Sequence, residues 1–297
     1  MSSPSVSIIM NCFNGEKYLP QALDSILAQT FEDWELIFWD NQSNDRSAEI
    51  FKNINDPRLK YFYAPNHTLL YEARNYAIEK SSGEFIAFLD VDDWWEKDKL
   101  KKQVSLFSDP DVGVVCGNYW VINETNNKKR KALIRSVFAR YDINDLLKKY
   151  YVGLLTLIIR RSTLNDLDYI CNPEYHIIGD FDLVIRLLTK CKLDYIQEPV
   201  AYYRLHGNNE TSKYRSKQIE EIRCWTKEMN AISAVSSQKN FYYVSAYLAY
   251  LEGMQLICDK KKSHAYKYLS EIPWGVLKLK YFVALMMPER FVTFFKF

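Results

Sequence analysis

Short apolar runs alternate with longer amphipathic segments over the first 118 residues of the chain. The apolar runs are rich in Val, Ile, Phe, Tyr and Trp and have the length of buried strands, at residues 6–10, 35–39, 59–63, 84–89 and 112–116. In the segments between them apolar residues recur every three or four positions, as in helices, at residues 18–29, 46–52, 70–80 and 97–107. This alternation predicts an α/β fold with a mostly parallel sheet flanked by helices, in which ligands bind at the carboxyl ends of the strands.

The alternation is less regular after residue 118. Residues 123–131 are polar and predict a hairpin tip or a flexible loop. Further apolar runs predict one helix, at 183–191, and three strands, at 154–159, 193–197 and 200–204. From about residue 212 only helical periodicity remains, at 216–233 and 241–258. We therefore predict an α/β domain over residues 1–211 and a C-terminal helical region over residues 212–297.

The composition is that of an ordinary globular protein, with 48% hydrophobic and 26% charged residues in a chain of 297. Its formal net charge of +2 lacks the basic surplus of a nucleic-acid binder, so nucleic acid is not expected as a partner. The six cysteines are scattered without a C-x-x-C pair, which predicts reduced, partly buried thiols. The sequence shows neither a secretory signal nor a run of roughly 20 apolar residues, which predicts a cytoplasmic protein.

The strand predicted at 84–89 leads directly into three carboxylates, Asp90, Asp92 and Asp93. A divalent cation that neutralises a diphosphate takes oxygen ligands from one or two carboxylates and from the phosphates. An Asp-x-Asp at a strand end can supply such ligands. The alternative is structural, with Asp93 capping a helix that opens at Trp94 and its neighbours favouring the helix dipole.

Five further segments precede these carboxylates in the sequence. They are PSVSIIMNCFNGEKYL from residue 4, SILAQTF from residue 25, WDNQSND from residue 39, ARN from residue 73 and GEF from residue 83. Together with the carboxylates they resemble the N-terminal half of family 2 glycosyltransferases of the bacterial polysaccharide and lipopolysaccharide type, which have the GT-A fold and invert the anomeric configuration. The resemblance covers residues 4–118 and continues more thinly to about residue 210.

This resemblance implies an enzyme that transfers a sugar from a nucleotide diphosphate, first of all a UDP-sugar, to a hydroxyl group of a glycan or lipid-linked glycan. Mn²⁺ or Mg²⁺ would be its cofactor, with Asp92 as a metal ligand. Residues 1–118 would hold the donor and residues 119–211 the acceptor. The resemblance also implies a nucleotide site, with the base edged by Asn11 and Phe13, its polar rim reached by Asp40 and Asn41, Arg74 alongside, and the ribose contacted by Asp90.

Position 41 departs from the family, which usually has a second Asp there. An Asp accepts a hydrogen bond from the uracil ring N–H, and the side-chain oxygen of Asn41 can accept the same bond with less charge assistance. The alternative is an ordinary Asx-turn at Asn41, because the polar residues Ser43, Asn44 and Asp45 follow it.

The segment Gly179-Asp180-Phe181 precedes an apolar helix pattern. The resembled family has Glu-Asp here and uses the Asp as general base, so only Asp180 matches, and Gly179 stands in place of an acid. A carboxylate on the face of the sugar opposite the diphosphate would take the proton of the acceptor hydroxyl, and attack from that face inverts the anomeric configuration. The alternative is that Asp180 caps the helix.

The segment YYRLH, residues 202–206, resembles the tyrosine-arginine-x-histidine segment that closes the catalytic domain of the family. The histidine there can complete the metal or diphosphate site, which makes His206 a candidate metal ligand. A solvated loop histidine is the alternative, because Gly207 and two asparagines follow it. The three other histidines match no family position, namely His67, His176 and His264.

Residues 273–297 are apolar, aromatic and sparsely basic, and Pro288 interrupts them. Each side of the proline is too short to cross a bilayer, but the composition suits a helix that lies on a membrane surface. The alternatives are a helix that packs on the catalytic domain and one that forms a homodimer.

Three other classes of protein could have a sheet of this kind. A sugar nucleotidyltransferase would need a Gly-rich phosphate loop after the first strand, and a nicotinamide dehydrogenase would need G-x-G-x-x-G, but residues 11–15 contain one glycine. A non-catalytic sugar-nucleotide-binding or scaffold protein would keep the sheet but lose the base or the metal ligand. Asp92 and Asp180 are both present, which favours the enzyme.

Overall fold

The fold is described from a computed structural model at residues 4–133, 140–207, 209 and 213–288. The first half of the chain alternates strands with helices at nearly the predicted positions. Its elements are β1 (Val6–Cys12), α1 (Leu19–Leu27), β2 (Trp34–Asp40), α2 (Ser47–Lys52), β3 (Leu59–Tyr63), α3 (Leu70–Glu79), β4 (Phe85–Phe88), β5 (Trp94–Trp95), α4 (Lys99–Val104) and β6 (Val112–Asn123).

The second half begins with short elements and ends in helices. Its elements are β7 (Lys129–Lys131), β8 (Arg140–Tyr141), α5 (Ile143–Lys148), β9 (Ile158–Arg160), α6 (Arg161–Leu164), α7 (Gly179–Leu187), β10 (Lys192–Leu205), α8 (Arg215–Asn230), α9 (Ser233–Ser236), α10 (Tyr242–Cys258), α11 (Lys262–Ala265) and α12 (Val276–Met286). Two 3₁₀ segments, at Ser105–Ser108 and Leu154–Thr156, interrupt the first domain, and a third, at Tyr266–Leu269, lies near the C-terminus.

The ten described strands form one sheet, whose main order is β3-β2-β1-β4-β9-β6-β10-β5. Strand β1 lies between β2 and β4 and is parallel to both, and β6 is parallel to β10. Every residue of β1 and β2 is buried, because helices cover both faces of the sheet, and this explains their uninterrupted apolar character. The predicted α/β architecture with a mostly parallel sheet is confirmed.

The acidic segment after β4 does not open a helix. Trp94 and Trp95 form the short strand β5, which pairs antiparallel with Tyr202 and Ala201, and the next helix begins only at Lys99. The helix-cap alternative for Asp93 is therefore wrong. The backbone after Asp93 pairs with a strand that lies more than 100 residues downstream. Such a pairing cannot be predicted from the local sequence pattern.

Several predicted boundaries also change. The strand predicted at 154–159 is a 3₁₀ turn followed by β9, because the N–H and the hydroxyl of Thr156 both donate to the carbonyl of Gly153. The strands predicted at 193–197 and 200–204 are one strand, β10, whose register shifts around Pro199, a residue without a backbone donor. Helix α7 begins four residues before its predicted start. The hairpin predicted at 123–131 is confirmed as the β6–β7 connection.

The chain divides into two compact units, one made of Met1–Leu146 and Tyr150–Lys213 and the other of Leu147–Lys149 and Tyr214–Phe297. Within the described part of the second unit, Gly253 of α10 lies against Tyr281 of α12, whose hydroxyl donates to the carbonyl of Ala265. No helix in the described ranges is both long and apolar enough to span a membrane. All six cysteines are free thiols, as predicted.

Candidate active site

Two loops at the carboxyl ends of β1 and β2 are joined by hydrogen bonds. The backbone N–H of Asn14 donates to the hydroxyl of Ser43, and the side-chain oxygen of Asn14 accepts from the N–H of Asn44. One residue further on, the N–H of Gly15 donates to the hydroxyl of Ser47. The polar residues 43–47 therefore hold the first loop in place, and the residues ahead of it keep a fixed position at the end of the sheet.

Asn11 lies near the end of β1 and is buried, whereas Phe13 follows this strand and is exposed. Asn11 is 8% exposed, and its side-chain nitrogen has no hydrogen-bond partner among the described residues. Phe13 is 53% exposed, and its ring centroid lies 4.4 Å from that of His67. A buried donor without a partner beside an exposed aromatic pair is a place where a polar planar ligand could bind.

Asp40 and Asn41, at the end of β2, make different hydrogen bonds. Asp40 is fully buried, and its two oxygens accept from the N–H of Ser43 at 2.7 Å and from the hydroxyl of Tyr61 at 2.6 Å. Because both oxygens accept hydrogen bonds inside the protein, Asp40 shapes the turn at the end of β2.

The side chain of Asn41 faces residue 68 and forms no local turn. Its amide nitrogen donates to the carbonyl of Thr68 at 2.8 Å, and its oxygen accepts from the N–H of Thr68 at 3.2 Å. The Asx-turn alternative for Asn41 is wrong, since Asp40 makes the contact that closes the turn. The backbone oxygen of Asn41 lies 2.8 Å from Nδ1 of His67, which must carry the proton of that bond because a carbonyl only accepts.

Arg74 and Asp90 form an ion pair between α3 and the end of β4. The guanidinium of Arg74 is 3% exposed and donates to Oδ1 of Asp90 at 2.8 Å, while Asp90 is 37% exposed. Burial alone would lower the pKa of Arg74, but the adjacent Asp90 carboxylate raises it. Arg74 is therefore a permanent cation that orients Asp90 and leaves part of this carboxylate open.

Asp92 and His206 are brought together from positions 114 residues apart. Oδ2 of Asp92 lies 2.9 Å from Nε2 of His206, whose side chain is 8% exposed and stacks on the ring of Tyr18. The solvated-loop alternative for His206 is therefore wrong. Asp93 points the other way and accepts from the N–H of Arg204 at 2.8 Å, and burial together with the nearby charge of Asp92 raises its pKa.

A metal ion would find two protein ligands here. The described residues hold no group of three or more His, Cys, Asp or Glu side chains that could bind a metal. The Asp92 carboxylate fits a hard divalent cation that takes its other ligands from a diphosphate, as Mg²⁺ does with a nucleotide, and the His206 imidazole beside it is a nitrogen donor that could serve as a second ligand. Asp90 is the neighbouring carboxylate, and it is paired with Arg74.

Asp180 lies in the first turn of α7 and is held by two tyrosines. The hydroxyl of Tyr71 donates to Oδ1 at 3.3 Å and the hydroxyl of Tyr150 donates to Oδ2 at 3.4 Å. The helix begins at Gly179 and its N-cap residue is Ile178, so Asp180 lies inside the first turn and the helix-cap alternative is wrong. The side chain remains partly exposed, yet desolvation by the surrounding protein raises its pKa, against the opposing effect of Arg74.

The sequence prediction missed three residues of this site, His67, Tyr71 and Tyr150. Tyr71 lies three residues before Arg74 on the same face of α3, and that spacing is the signal that could have found it. The structure also gives a reason for the missing acid at position 179. A Cβ on Gly179 would lie 2.6 Å from atoms of the Tyr71 ring, so no side chain fits there.

Comparison with known proteins identifies the family. The profile of Glycosyl transferase family 2 matches residues 7–167, which is more than half of the chain. The chain belongs to glycosyl transferase family 2. The resemblance of its N-terminal motifs to this family is thereby confirmed.

One curated relative of this family 2 chain is the UDP-Glc:alpha-D-GlcNAc-diphosphoundecaprenol beta-1,3-glucosyltransferase WfgD of Escherichia coli. The two chains are 35% identical over 164 residues, which cover 55% of this chain and 63% of WfgD. The match thus spans less than two thirds of that relative.

Solved structures share the fold of this family 2 chain at low sequence identity. Residues 1–349 of TarS from S. aureus, in complex with UDP-GlcNAc, superpose with a TM-score of 0.69 at 17% identity, covering 91% of this chain and 82% of TarS. The mannosyltransferase PcManGT from Pyrobaculum calidifontis, in complex with GDP-Man and Mn²⁺, gives 0.65 at 17% identity, covering 99% and 84%. Both likenesses establish the GT-A fold.

Proposed function

We propose that this protein is an inverting glycosyltransferase that moves a sugar from a nucleoside diphosphate to a hydroxyl group of a glycan or lipid-linked glycan. The observation that carries the proposal is the chain of contacts from Asp90 through Arg74 and Tyr71 to Asp180. It joins the carboxylate expected at the ribose to the carboxylate expected as base. Family membership and the enzymes it resembles support the same reaction class.

In this reaction Asp180 accepts the proton of the acceptor hydroxyl while the acceptor oxygen attacks the anomeric carbon. The bond from that carbon to the diphosphate oxygen breaks, and the nucleoside diphosphate leaves with the electron pair. Because Asp180 has a raised pKa, it is a better proton acceptor than an ordinary Asp at the pH where it is still ionised. Attack opposite the leaving group inverts the anomeric configuration.

The donor would bind along the strand ends. Asn11, Phe13 and Asn41 would contact the base, with His67 as a further ring beside Phe13. Asp90, oriented by Arg74, would accept from the ribose hydroxyls. A uridine base suits the acceptor oxygen of Asn41, and both WfgD and TarS are named with UDP-sugars.

Asp92 and His206 would hold Mn²⁺ or Mg²⁺, with the phosphates as the remaining ligands. Such an ion, when bound, neutralises charge on the leaving diphosphate. PcManGT, which shares the fold, carries Mn²⁺ in its complex.

A thermal-shift panel of UDP, GDP, dTDP and CMP, each with and without Mn²⁺, tests the donor site directly. A ligand that binds only the native state raises its melting temperature. We expect the largest rise with UDP and Mn²⁺ together. No rise with any of the four nucleotides would contradict the proposed donor site, and a larger rise with GDP would correct the base.

The C-terminal segment supports a second element of the proposal, attachment to a membrane surface. Helix α12 turns one face toward its own unit through Tyr281, Ala284 and Leu285 and leaves most of its other apolar residues exposed. The exposed apolar residues near it include Trp274, Val276, Leu279, Phe282 and Met286. Lys278 lies over the ring of Trp274, so basic and apolar groups share this surface, as in helices that bind anionic lipid interfaces. Residues 289–297, the rest of the predicted segment, lie outside the described residues.

Flotation with vesicles tests this element. Full-length protein should float with vesicles of phosphatidylglycerol, and a chain truncated before Pro273 should bind UDP but remain at the bottom of the gradient. Vesicles of phosphatidylcholine are the control for charge. If the full-length protein floats with neither vesicle, the segment packs on protein or forms a dimer.

A further inference from the structure

The hydroxyl of Tyr71 makes two hydrogen bonds to one residue. It accepts from the backbone N–H of Asp180 at 3.0 Å and donates to the side-chain oxygen Oδ1 at 3.3 Å. The first bond satisfies an N–H that the first turn of α7 leaves without a helical partner. Tyr150 contacts only the carboxylate. Tyr71 therefore holds both the backbone and the side chain of Asp180.

The ring of Tyr71 is locked in place by its neighbours. It is 4% exposed and lies so close to Gly179 that a Cβ there would be 2.6 Å from three ring atoms. On the helix that carries it, the guanidinium of Arg74 lies 4.7 Å from the ring centroid. A ring held by a glycine and by a buried cation has little freedom to turn, so the direction of its hydroxyl is set by packing.

Tyr71 also connects the two halves of the site. Arg74, one helical turn further along α3, donates to Asp90 at 2.8 Å. A shift of α3 on donor binding would therefore move the hydroxyl that holds Asp180. No other described residue is hydrogen-bonded to Asp180 and also in ring contact with the Arg74–Asp90 pair.

We propose that Tyr71 is a positioning residue that holds Asp180 in line for proton transfer and links the orientation of Asp180 to the Arg74–Asp90 pair. This inference rests on the proposed role of Asp180 as base. Tyr71 touches no reacting atom and acts through Asp180.

The electrostatic setting fixes the direction of the expected change. Desolvation raises the pKa of Asp180, whereas Arg74 and the hydroxyl donors lower it. The other titratable groups that act on this carboxylate are Tyr119, whose pKa burial raises to about 12, and Cys171, and on the same helix Asp182 is paired with Arg186. Because Tyr71 donates to the ionised form, removal of its hydroxyl must raise the pKa of Asp180 further.

The test is Tyr71→Phe, which keeps the ring and removes the hydroxyl. A hydrogen bond to a charged group contributes a factor of about 10 or more, so we expect kcat near neutral pH to fall about tenfold. The acidic limb of the kcat profile should move to higher pH, while UDP affinity by calorimetry stays within about twofold. Unchanged kcat and an unchanged acidic limb would overturn the proposal.

Tyr76→Phe is the matched control, because Tyr76 lies on the same helix and its hydroxyl also bonds to a carboxylate, that of Glu72. It should change neither kcat nor the pH profile. A loss in Tyr76→Phe equal to that in Tyr71→Phe would assign the effect to the stability of α3 and overturn the positioning role.

A second measurement needs no variant of Tyr71. In wild-type protein labelled at the phenol carbon of tyrosine, the NMR signal of Tyr71 should titrate with Asp180 and become independent of pH in Asp180→Asn. A signal that does not follow Asp180 would overturn the contact. Because the NMR titration, unlike the kcat profile, requires no turnover, failure of the proposed reaction appears separately, as a wild-type chain without transfer activity from any sugar nucleotide.

Discussion

Asp92 and Asp180 are the two carboxylates on which the proposed chemistry depends, and their surroundings differ. Asp92 is 25% exposed and faces the imidazole of His206, while its neighbour Asp90 faces the guanidinium of Arg74. Asp180 faces two phenol hydroxyls and has its pKa raised by desolvation. Basic partners suit a carboxylate that stays charged and binds a cation, whereas neutral donors suit one that gains and loses a proton.

The difference shows that an acid acquires its role from the residues that reach it. All three carboxylates follow or precede apolar elements in similar sequence contexts. Their partners come from α3, from the end of β10 and from the segment at Tyr150. Substitutions that remove one carboxylate, or one partner, should therefore separate proton transfer from metal binding.

The largest expected effect is that of Asp180→Asn on transfer. The amide keeps the volume and an oxygen that can accept from one of the two tyrosines, so the fold should survive, but it cannot take the proton of the acceptor. We expect kcat to fall by about 10² to 10⁴, with UDP affinity unchanged by calorimetry. NMR of the wild-type product should show the configuration opposite to that of the donor. An active variant, or a product with retained configuration, would contradict the mechanism.

Asp92→Ala, unlike Asp180→Asn, should weaken the binding of UDP. Losing the carboxylate that holds the cation should weaken UDP binding in the presence of Mn²⁺ by about 100-fold, because the diphosphate then loses the counter-charge of the bound cation. Calorimetry with Mn²⁺ and with EDTA measures the change. Wild-type affinity that is equally high in EDTA would remove the metal from the proposal.

His206→Gln should have a smaller effect of the same kind. The Gln oxygen is a weaker metal ligand than the imidazole, and the ring contact with Tyr18 is lost. We expect UDP affinity with Mn²⁺ to fall about tenfold, the lower end of the loss seen when a metal ligand loses its support. The affinity measured without metal should not change. If both affinities fall together, His206 contacts the nucleotide and not the ion.

The smallest effect concerns stability. The folded-state pKa of Asp180 is raised, so the folded chain loses stability as the pH rises from the ordinary pKa of Asp through that raised value. Asp180→Asn should therefore melt at a higher temperature than the wild type at neutral pH, and the difference should vanish below about pH 4. Calorimetry across this range tests the sign.

Asp182→Asn, on the same helix, should change the melting temperature in the opposite direction. Asp182 is fully buried and accepts two hydrogen bonds from Arg186. The amide leaves the buried Arg186 cation with carbonyl acceptors but without its charged partner, so this variant should melt at a lower temperature at neutral pH. A lower melting temperature for Asp180→Asn as well would show that Asp180 also supports the fold.

The sheet and the carboxylates were accessible from the sequence because both depend on short patterns. Uninterrupted apolar runs give buried strands, and the segments around Asp90 and Asp92 are spaced as in the family. Trp94 and Trp95 were misread because their strand partners lie far along the chain. Tyr71 and His67 join the site through contacts across the fold, with Asp180 and Phe13. The spacing of Tyr71 from Arg74 indicates a shared helix face but does not encode the contact with Asp180, and no spacing indicates His67.

The contact between Gly253 and Tyr281 has a practical consequence for dissecting this protein. A Cβ at position 253 would lie 2.2 Å from the Tyr281 hydroxyl oxygen, so Gly253→Ala would force α10 and α12 apart or expel the Tyr281 ring. Adding this single methyl group would release the last described helix from α10 while the chain keeps its full length. Gly253→Ala would therefore be a temperature-sensitive variant, in which the helix is released increasingly as the temperature rises, and it could be used in place of a truncation.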